Sequence, residues 1–234
     1  MKWSQFFSSS IGRKLVMSLT GLFLISFLVV HVGLNACIWA NDDGEMFNKS
    51  AHFMGTTIVV RLMEVVLFIG FIIHIIQGYV LESYNLSRRG RGYEISLGNR
   101  GSKWYSRTMG LLGTLLFLFL VMHIYHFWTP SRLGGIGSIE PLQEVEYNGK
   151  AYHNLYHQML VVFKNPLVVI LYVLGCISLA YHLMHGFQSA WRTLGLNNNR
   201  YLKMARNIGN VFSIIVPLGF AMMPISMYLG WVTE

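Results

Sequence analysis

Four histidines lie inside four separate apolar segments of the chain: His31, His74, His123 and His182. An ionisable side chain is costly to place in the hydrocarbon interior of a membrane, so such a residue usually has a function there. Burial in apolar surroundings favours neutral imidazole, which is the form that binds metals. The residue type and its placement therefore indicate either a metal centre or a proton relay inside a membrane.

The composition supports a membrane setting. The chain has 234 residues, of which 53% are hydrophobic and 12% are charged, whereas about 25% of the residues of a soluble domain are charged. Five segments reach the roughly 20 apolar residues that a helix needs to cross the hydrocarbon core. We therefore predict an all-α integral membrane protein, with residues 1–234 forming one membrane domain. Its five transmembrane helices are expected at about 15–39, 57–81, 108–128, 166–191 and 208–231.

The basic residues are distributed unevenly around these segments. Thirteen of the 18 lysines and arginines lie in three flanks: before the first segment, between the second and third, and between the fourth and fifth. Because cytoplasmic loops are rich in Lys and Arg, the flanks predict a cytoplasmic N-terminus and a C-terminus outside. The expected location is the cytoplasmic membrane of a bacterium. This topology also explains the net charge of +8, and no basic motif with interleaved aromatic residues indicates a nucleic-acid partner.

The predicted topology places the four histidines at two depths. His31 and His123 lie 16 and 15 residues into segments that enter from the cytoplasm, which is roughly 24 Å along a helix, in the outer half of the bilayer. His74 and His182 lie 17 and 16 residues into segments that enter from outside, so they fall in the inner half. The expected pairs are His31 with His123 and His74 with His182.

Two histidine pairs at different depths are what two bis-histidine haems b require. Haem iron takes axial imidazoles on opposite faces of the porphyrin, here from facing helices. A tetrahedral zinc site would need its ligands at one depth, and Cys37 and Cys176 form no haem-attachment or iron–sulfur motif. One such histidine alone would more often be a packing residue or a proton relay, but four at two matched depths favour axial ligation.

Other polar residues are candidates for binding the haem propionates or a quinone. Propionates need cationic or hydrogen-bonding partners, and a quinone needs an apolar slot with a few polar groups. Arg61 and Glu64, at i and i+3, form either a simple ion pair or a site in which Arg61 holds a propionate and Glu64 handles protons. Glu64 and His52 are the candidate catalytic residues of a quinone site, and His126 is an alternative ligand to His123. The candidates for propionate or quinone binding are Arg61, His126, His185, Arg13 and Lys14.

Six stretches surround these residues: 21–35, FNKSAHFM (47–54), 61–64, HIIQG (74–78), 113–123 and YHLMHGFQSAW (181–191). Together they resemble the cytochrome b anchor of succinate:quinone oxidoreductases, that is, of succinate dehydrogenase or fumarate reductase, and most closely its five-helix, two-haem type. The resemblance implies that His31 and His123 ligate the distal haem, and that the other pair ligates the proximal haem, on the side where hydrophilic subunits dock. Ala180 departs from the pattern, because some two-haem fumarate reductases have a glutamate there.

The same resemblance implies a division of labour among subunits. A flavoprotein subunit carrying FAD would oxidise succinate or reduce fumarate, and an iron–sulfur subunit would connect it to this chain. The anchor itself would bind two haems b and exchange electrons with a quinone, expected to be menaquinone. This chain has no flavin or iron–sulfur motif, so none of the dicarboxylate chemistry would take place on it.

Two alternatives stay open on the sequence alone. The chain can be a haem b subunit of another respiratory complex, such as a hydrogenase or a formate dehydrogenase. It can also be a haem-free, proton-coupled membrane protein whose histidines relay protons. The 129–165 connection is the longest between the segments, and we expect it to be a loop that acts as a lid or a binding element.

Overall fold

The computed structural model describes residues 9–89, 104–135, 140–195 and 198–233. Part of the basic flanks that carry the topology prediction, namely Lys2 and residues 90–103, lies outside the described residues. Helices and two short strands follow one another along the chain. They are α1 (Ser10–Asn35), a 3₁₀ turn (Ala36–Trp39), α2 (Glu45–Thr56), α3 (Ile58–Arg89), α4 (Trp104–Arg107), α5 (Met109–His123), a π-helical turn (Ile124–Trp128), α6 (Thr129–Leu133), β1 (Glu144–Tyr147), β2 (Lys150–His153), α7 (Leu155–Phe163), α8 (Pro166–Thr193) and α9 (Asn199–Tyr228).

Five helical stretches are long and apolar enough to cross a membrane, which confirms the predicted all-α membrane bundle. Their bounds differ from the prediction where a helix continues beyond its apolar part. The fifth helix begins at Asn199 rather than near 208, because the Asn198 side chain caps it by accepting a hydrogen bond from the Arg200 backbone N–H (2.9 Å). The second continues to Arg89 rather than ending near 81. Hydropathy detects only the part of a helix that lies in hydrocarbon.

Four of the long helices form a ring. α1 packs against α3 and α8, and α5 packs against the same two helices, so α1 faces α5 and α3 faces α8 across the interior. The fifth long helix, α9, packs on the outside of this ring, against α8 and α1. Pro166 occupies the first turn of α8, where its missing N–H costs nothing, and Asn165 caps that turn through the Leu167 N–H (2.9 Å). The interior of the ring is where the two facing helix pairs can present ligands.

One end of the ring carries a cap made of α2, the β1–β2 hairpin and α7, and we call it the capped end. The hairpin turns at Asn148 and Gly149, which both have positive φ (54° and 77°), as a two-residue type I′ turn requires. The described residues of the 129–165 connection (129–135 and 140–165) thus include two helices and a hairpin, whereas we expected a loop. The main buried core also lies at this end, and it includes Phe47, Tyr156 and Phe163.

Asn48 joins the parts of the cap. Its side chain is fully buried (0% exposed). It donates to the Tyr147 hydroxyl (3.1 Å) and to Asn154 Oδ1 (3.0 Å), and its own Oδ1 accepts from the Tyr156 backbone N–H (3.0 Å). One side-chain amide on α2 thus binds the hairpin, the residue after it and α7. Three of the four hydrogen-bonding positions of this amide are used.

Candidate functional site: two histidine pairs in one interior cavity

The first pair joins the two facing helices α1 and α5 near the capped end. The rings of His31 and His123 have centroids 5.8 Å apart and are nearly perpendicular (88°). Each imidazole is stacked on a phenylalanine four residues earlier on its own helix. Phe27 lies 5.0 Å from His31 at 20°, and Phe119 lies 5.7 Å from His123 at 21°. The i, i+4 spacing places these side chains one above the other on the same helix face, so each phenylalanine fixes the tilt of its imidazole.

The second pair joins the other two facing helices, α3 and α8. His74 and His182 have ring centroids 6.3 Å apart, at 68°. The His74 Nδ1 lies 3.1 Å from the Thr20 hydroxyl of α1. Beside it, Gly21 leaves room for the ring, because a Cβ there would lie 3.3 Å from His74 Cε1. The structure therefore brings the four histidines together in the two expected pairs; their binding of haem iron stays a prediction.

The two pairs lie at different levels of the bundle. His74 lies beside Gly21 of α1, ten residues before His31, and His182 lies beside Gly113 of α5, ten residues before His123, with Cε1 3.3 and 3.9 Å from a Cβ built at the respective glycine. Ten residues span about 15 Å of helix. Both facing helices thus give the same separation between the pairs.

The spacing within each pair suits a metal ion held between two imidazoles. With metal–nitrogen bonds of about 2.0 Å and a nitrogen-to-centroid distance of about 1.1 Å, two axial imidazoles have centroids about 6.2 Å apart. The observed 5.8 and 6.3 Å bracket this value. In His31 and His74 the ring nitrogen that contacts another side chain is Nδ1. In His123 and His182 the buried ring nitrogen without a partner is also Nδ1. Within the described residues, Nε2 of each ring is therefore without a hydrogen bond.

A single large cavity connects the pairs. It has a volume of about 1760 Å³, it is lined mainly by apolar side chains, and all four histidines line it. One small-molecule site usually occupies roughly 300–1,000 Å³, so this interior has room for two large planar groups. In the described part of the chain, no three His, Cys, Asp or Glu side chains gather as a tetrahedral metal site would require. The spacing of the two imidazole pairs and the volume of the cavity fit two bis-histidine haems.

A charged cluster lines the cavity near the first pair. Glu64 Oε2 accepts from Arg61 Nη1 (3.0 Å), while Glu64 Oε1 accepts from Arg132 Nε (3.1 Å) and from Trp128 Nε1 (2.5 Å). The Glu64 side chain is 17% exposed. Gly55 of α2 makes room for Arg132, because a Cβ there would lie 2.9 Å from Nη1. Two guanidinium groups around one carboxylate leave a net positive charge, which suits a carboxylate ligand such as a propionate.

The remaining candidates differ in where the structure places them. His52, Lys14 and His185 line the cavity. His52 also meets the Tyr152 ring of the hairpin at 4.9 Å. His126 and Arg13 are not among the lining residues.

The two candidates outside the cavity lining have other partners. His126 Nδ1 lies 3.0 Å from the Tyr172 hydroxyl. The Arg13 guanidinium lies 5.7 Å from the centre of the Tyr84 ring. The structure therefore brings Arg61, Lys14, His52, Glu64 and His185 to the cavity and leaves His126 and Arg13 beside it.

Three residues of the site were not singled out in the sequence. Trp128 and Arg132 both bind Glu64, and their i, i+4 spacing at the end of the third segment was the available signal. Thr20 contacts His74. A lone threonine in an apolar helix gives little signal, because its hydroxyl can bond to the helix backbone, as Thr20 does at Val16 O (2.8 Å).

Models of known protein families, curated proteins and solved structures were compared with this chain, and none of them matches it.

Proposed function

We propose that this chain is the dihaem cytochrome b anchor of a succinate dehydrogenase or fumarate reductase, and that it passes electrons between an iron–sulfur subunit and a membrane quinone. The proposal rests on one observation: two pairs of histidines line a shared cavity, with ring centroids 5.8 Å apart in one pair and 6.3 Å apart in the other. The assignment to this class of complex rests on the family resemblance of the surrounding stretches.

When bound, each haem b supplies a one-electron carrier, and two of them at different levels supply a route across the membrane. His31 and His123 would hold one iron, and His74 and His182 the other. The mainly apolar lining of the cavity would exclude water from both haems. The role of the chain is then to fix the ligand pairs at levels about 15 Å apart along the helices.

The charged cluster near the first pair would serve the quinone and one set of propionates. Arg61 and Arg132 bind the Glu64 side chain and so fix its orientation, and both arginines line the cavity. A carboxyl group in this position can take up one of the two protons released when the quinol is oxidised, and return it when the quinone is reduced. At the other level, Lys14 and His185 line the cavity and would serve the second set of propionates.

The proposal also predicts the orientation of the chain in the membrane, its partner subunits and its quinone. The N-terminus would lie in the cytoplasm of a bacterium, with the His74–His182 pair nearer that side. A flavoprotein subunit and an iron–sulfur subunit would dock there, so that FAD and iron–sulfur clusters are held by the partners. Menaquinone is the expected quinone.

Purification of the assembled complex tests the proposal. We expect a flavoprotein and an iron–sulfur protein to co-purify, a haem content of two b-type haems for each copy of this chain, and succinate- or fumarate-linked quinone turnover. A nickel or molybdenum subunit in place of the flavoprotein would assign the chain to another respiratory complex. A reduced-minus-oxidised spectrum without an α-band in fully assembled protein would contradict haem binding and favour a proton-coupled membrane protein.

A further inference from the structure

The imidazole of His74 is held by two neighbouring residues of α1. Thr20 Oγ1 lies 3.1 Å from Nδ1, and Gly21 lets the ring approach the helix, since a Cβ there would lie 3.3 Å from Cε1 and 3.9 Å from Nδ1. No comparable side-chain partner is present at His123 or His182 within the described residues, where Nδ1 is buried without a hydrogen bond.

The hydrogen bonds of Thr20 determine which tautomer His74 adopts. A threonine hydroxyl has one hydrogen to donate. Thr20 Oγ1 lies 2.8 Å from Val16 O and 3.2 Å from Met17 O, and a carbonyl oxygen can only accept. The hydrogen is therefore directed to the backbone, so that Oγ1 accepts from His74. Nδ1 must then carry the ring proton, which leaves the Nε2 lone pair free.

The corresponding contact at His31 does not determine a tautomer in this way. Asn35 Nδ2 donates to the His31 carbonyl oxygen at 2.8 Å and lies 3.3 Å from Nδ1. That second contact is longer than the usual range of about 2.7–3.2 Å for an N–H hydrogen bond, so it does not fix the tautomer of the ring. Within the part of the chain that the structure describes, His74 is the one of the four histidines whose ligating form is fixed by a neighbouring hydroxyl.

We infer that Thr20, with Gly21 beside it, is a positioning element that presents the His74 Nε2 lone pair to the cavity and sets the electron-donor strength of this ligand. The inference rests on the proposed function. A hydrogen bond from Nδ1–H raises the basicity of a ligating imidazole, which favours the oxidised metal. Thr20 therefore lowers the reduction potential of the haem bound by His74 and His182 relative to a site without this bond.

The test uses redox titration of the purified complex, with haem content measured on the same samples. In Thr20→Val the hydroxyl is lost at nearly constant shape, and we expect the potential of the His74 haem to become more positive. Loss of such an outer hydrogen bond typically changes metal affinity by about 10-fold or more. A tenfold loss of affinity for the oxidised iron relative to the reduced iron shifts the reduction potential by about 59 mV for one electron, so we expect a positive shift of about this size. Thr20→Ser retains the hydroxyl and should restore the original potential.

A second threonine provides a matched control. Thr114 Oγ1 on α5 also bonds to a backbone oxygen four residues earlier (Gly110, 2.9 Å) and to a side chain of α3, the Tyr79 hydroxyl (3.0 Å), but it contacts no histidine. Thr114→Val should leave both potentials unchanged. If Thr20→Val loses the His74 haem selectively while Thr114→Val keeps both haems, the inference is also supported.

Three results would contradict either the inference about Thr20 or the proposed function. An unchanged potential of the His74 haem in Thr20→Val, with both haems present, overturns the inference alone. Loss of both haems together in Thr20→Val also overturns it, because Thr20 would then support the bundle rather than one ligand. Absence of haem from the wild-type complex overturns the proposed function, and the inference with it.

Discussion

The close contact between Gly175 of α8 and Phe119 of α5 links helix packing to the first histidine pair. A Cβ at position 175 would lie 2.5, 2.8 and 3.0 Å from Phe119 Cδ2, Cγ and Cε2, whereas ordinary contacts fall at 3.4–4 Å. In Gly175→Ala the phenyl ring must therefore move by about 1 Å, and such overpacking costs about 1–3 kcal/mol of unfolding free energy. Phe119 is stacked on His123, so its displacement would shift the proposed iron ligand by more than the roughly 0.5 Å that a site tolerates.

Haem content and optical spectra of the purified Gly175→Ala complex measure this effect. We expect selective loss or weakened binding of the haem held by His31 and His123, with the other haem retained. Gly33→Ala is a suitable control, because Gly33 is exposed on α1 and a Cβ there meets nothing within 4 Å. Two haems with wild-type spectra and unchanged thermal stability in Gly175→Ala would refute the argument that this packing contact positions His123.

Two further substitutions test the cap and the charged cluster. Asn48→Ala removes three hydrogen bonds worth about 1 kcal/mol each, so we expect faster amide hydrogen exchange in the hairpin and α7, and unchanged exchange there would contradict the role of Asn48 as their common anchor. Glu64→Gln should keep both haems but lower quinone-linked turnover by roughly 10²-fold, while dye-linked activity of the flavoprotein stays unchanged. Undiminished quinone turnover would exclude Glu64 as the proton-handling group.

The long helices and the histidine pairing could be predicted because both follow from periodic, chain-local quantities. The length of each apolar segment gives a span, and the rise per residue gives the level of each histidine. The pairing of His31 with His123 needed only the alternation of direction from one span to the next. For the same reason the beginning of α9 was missed, since Asn199 and the polar residues after it continue a helix outside the apolar stretch.

The cap was harder to predict because its stability comes from contacts between distant parts of the chain. Asn48 binds Tyr147, Asn154 and Tyr156, about 100 residues away. The hairpin had a local signal in the Asn148–Gly149 dipeptide between two short runs with strand-forming residues. No local sequence signal indicated the register of the hairpin or its packing on α2. The Glu64 cluster shows the same limit, since Arg61 is near in sequence but Arg132 is not.

Single replacement of each of the four histidines by leucine, followed by haem quantification and reduced-minus-oxidised spectra of the assembled complex, tests the central claim most directly. Leucine at 31 or 123 should remove one and the same haem, and leucine at 74 or 182 should remove the other. His126→Leu, three residues beyond His123 and outside the cavity lining, is the matched control and should keep both. Loss of the same haem on replacing His31 and His74, or two intact haems in any of the four variants, would contradict the account.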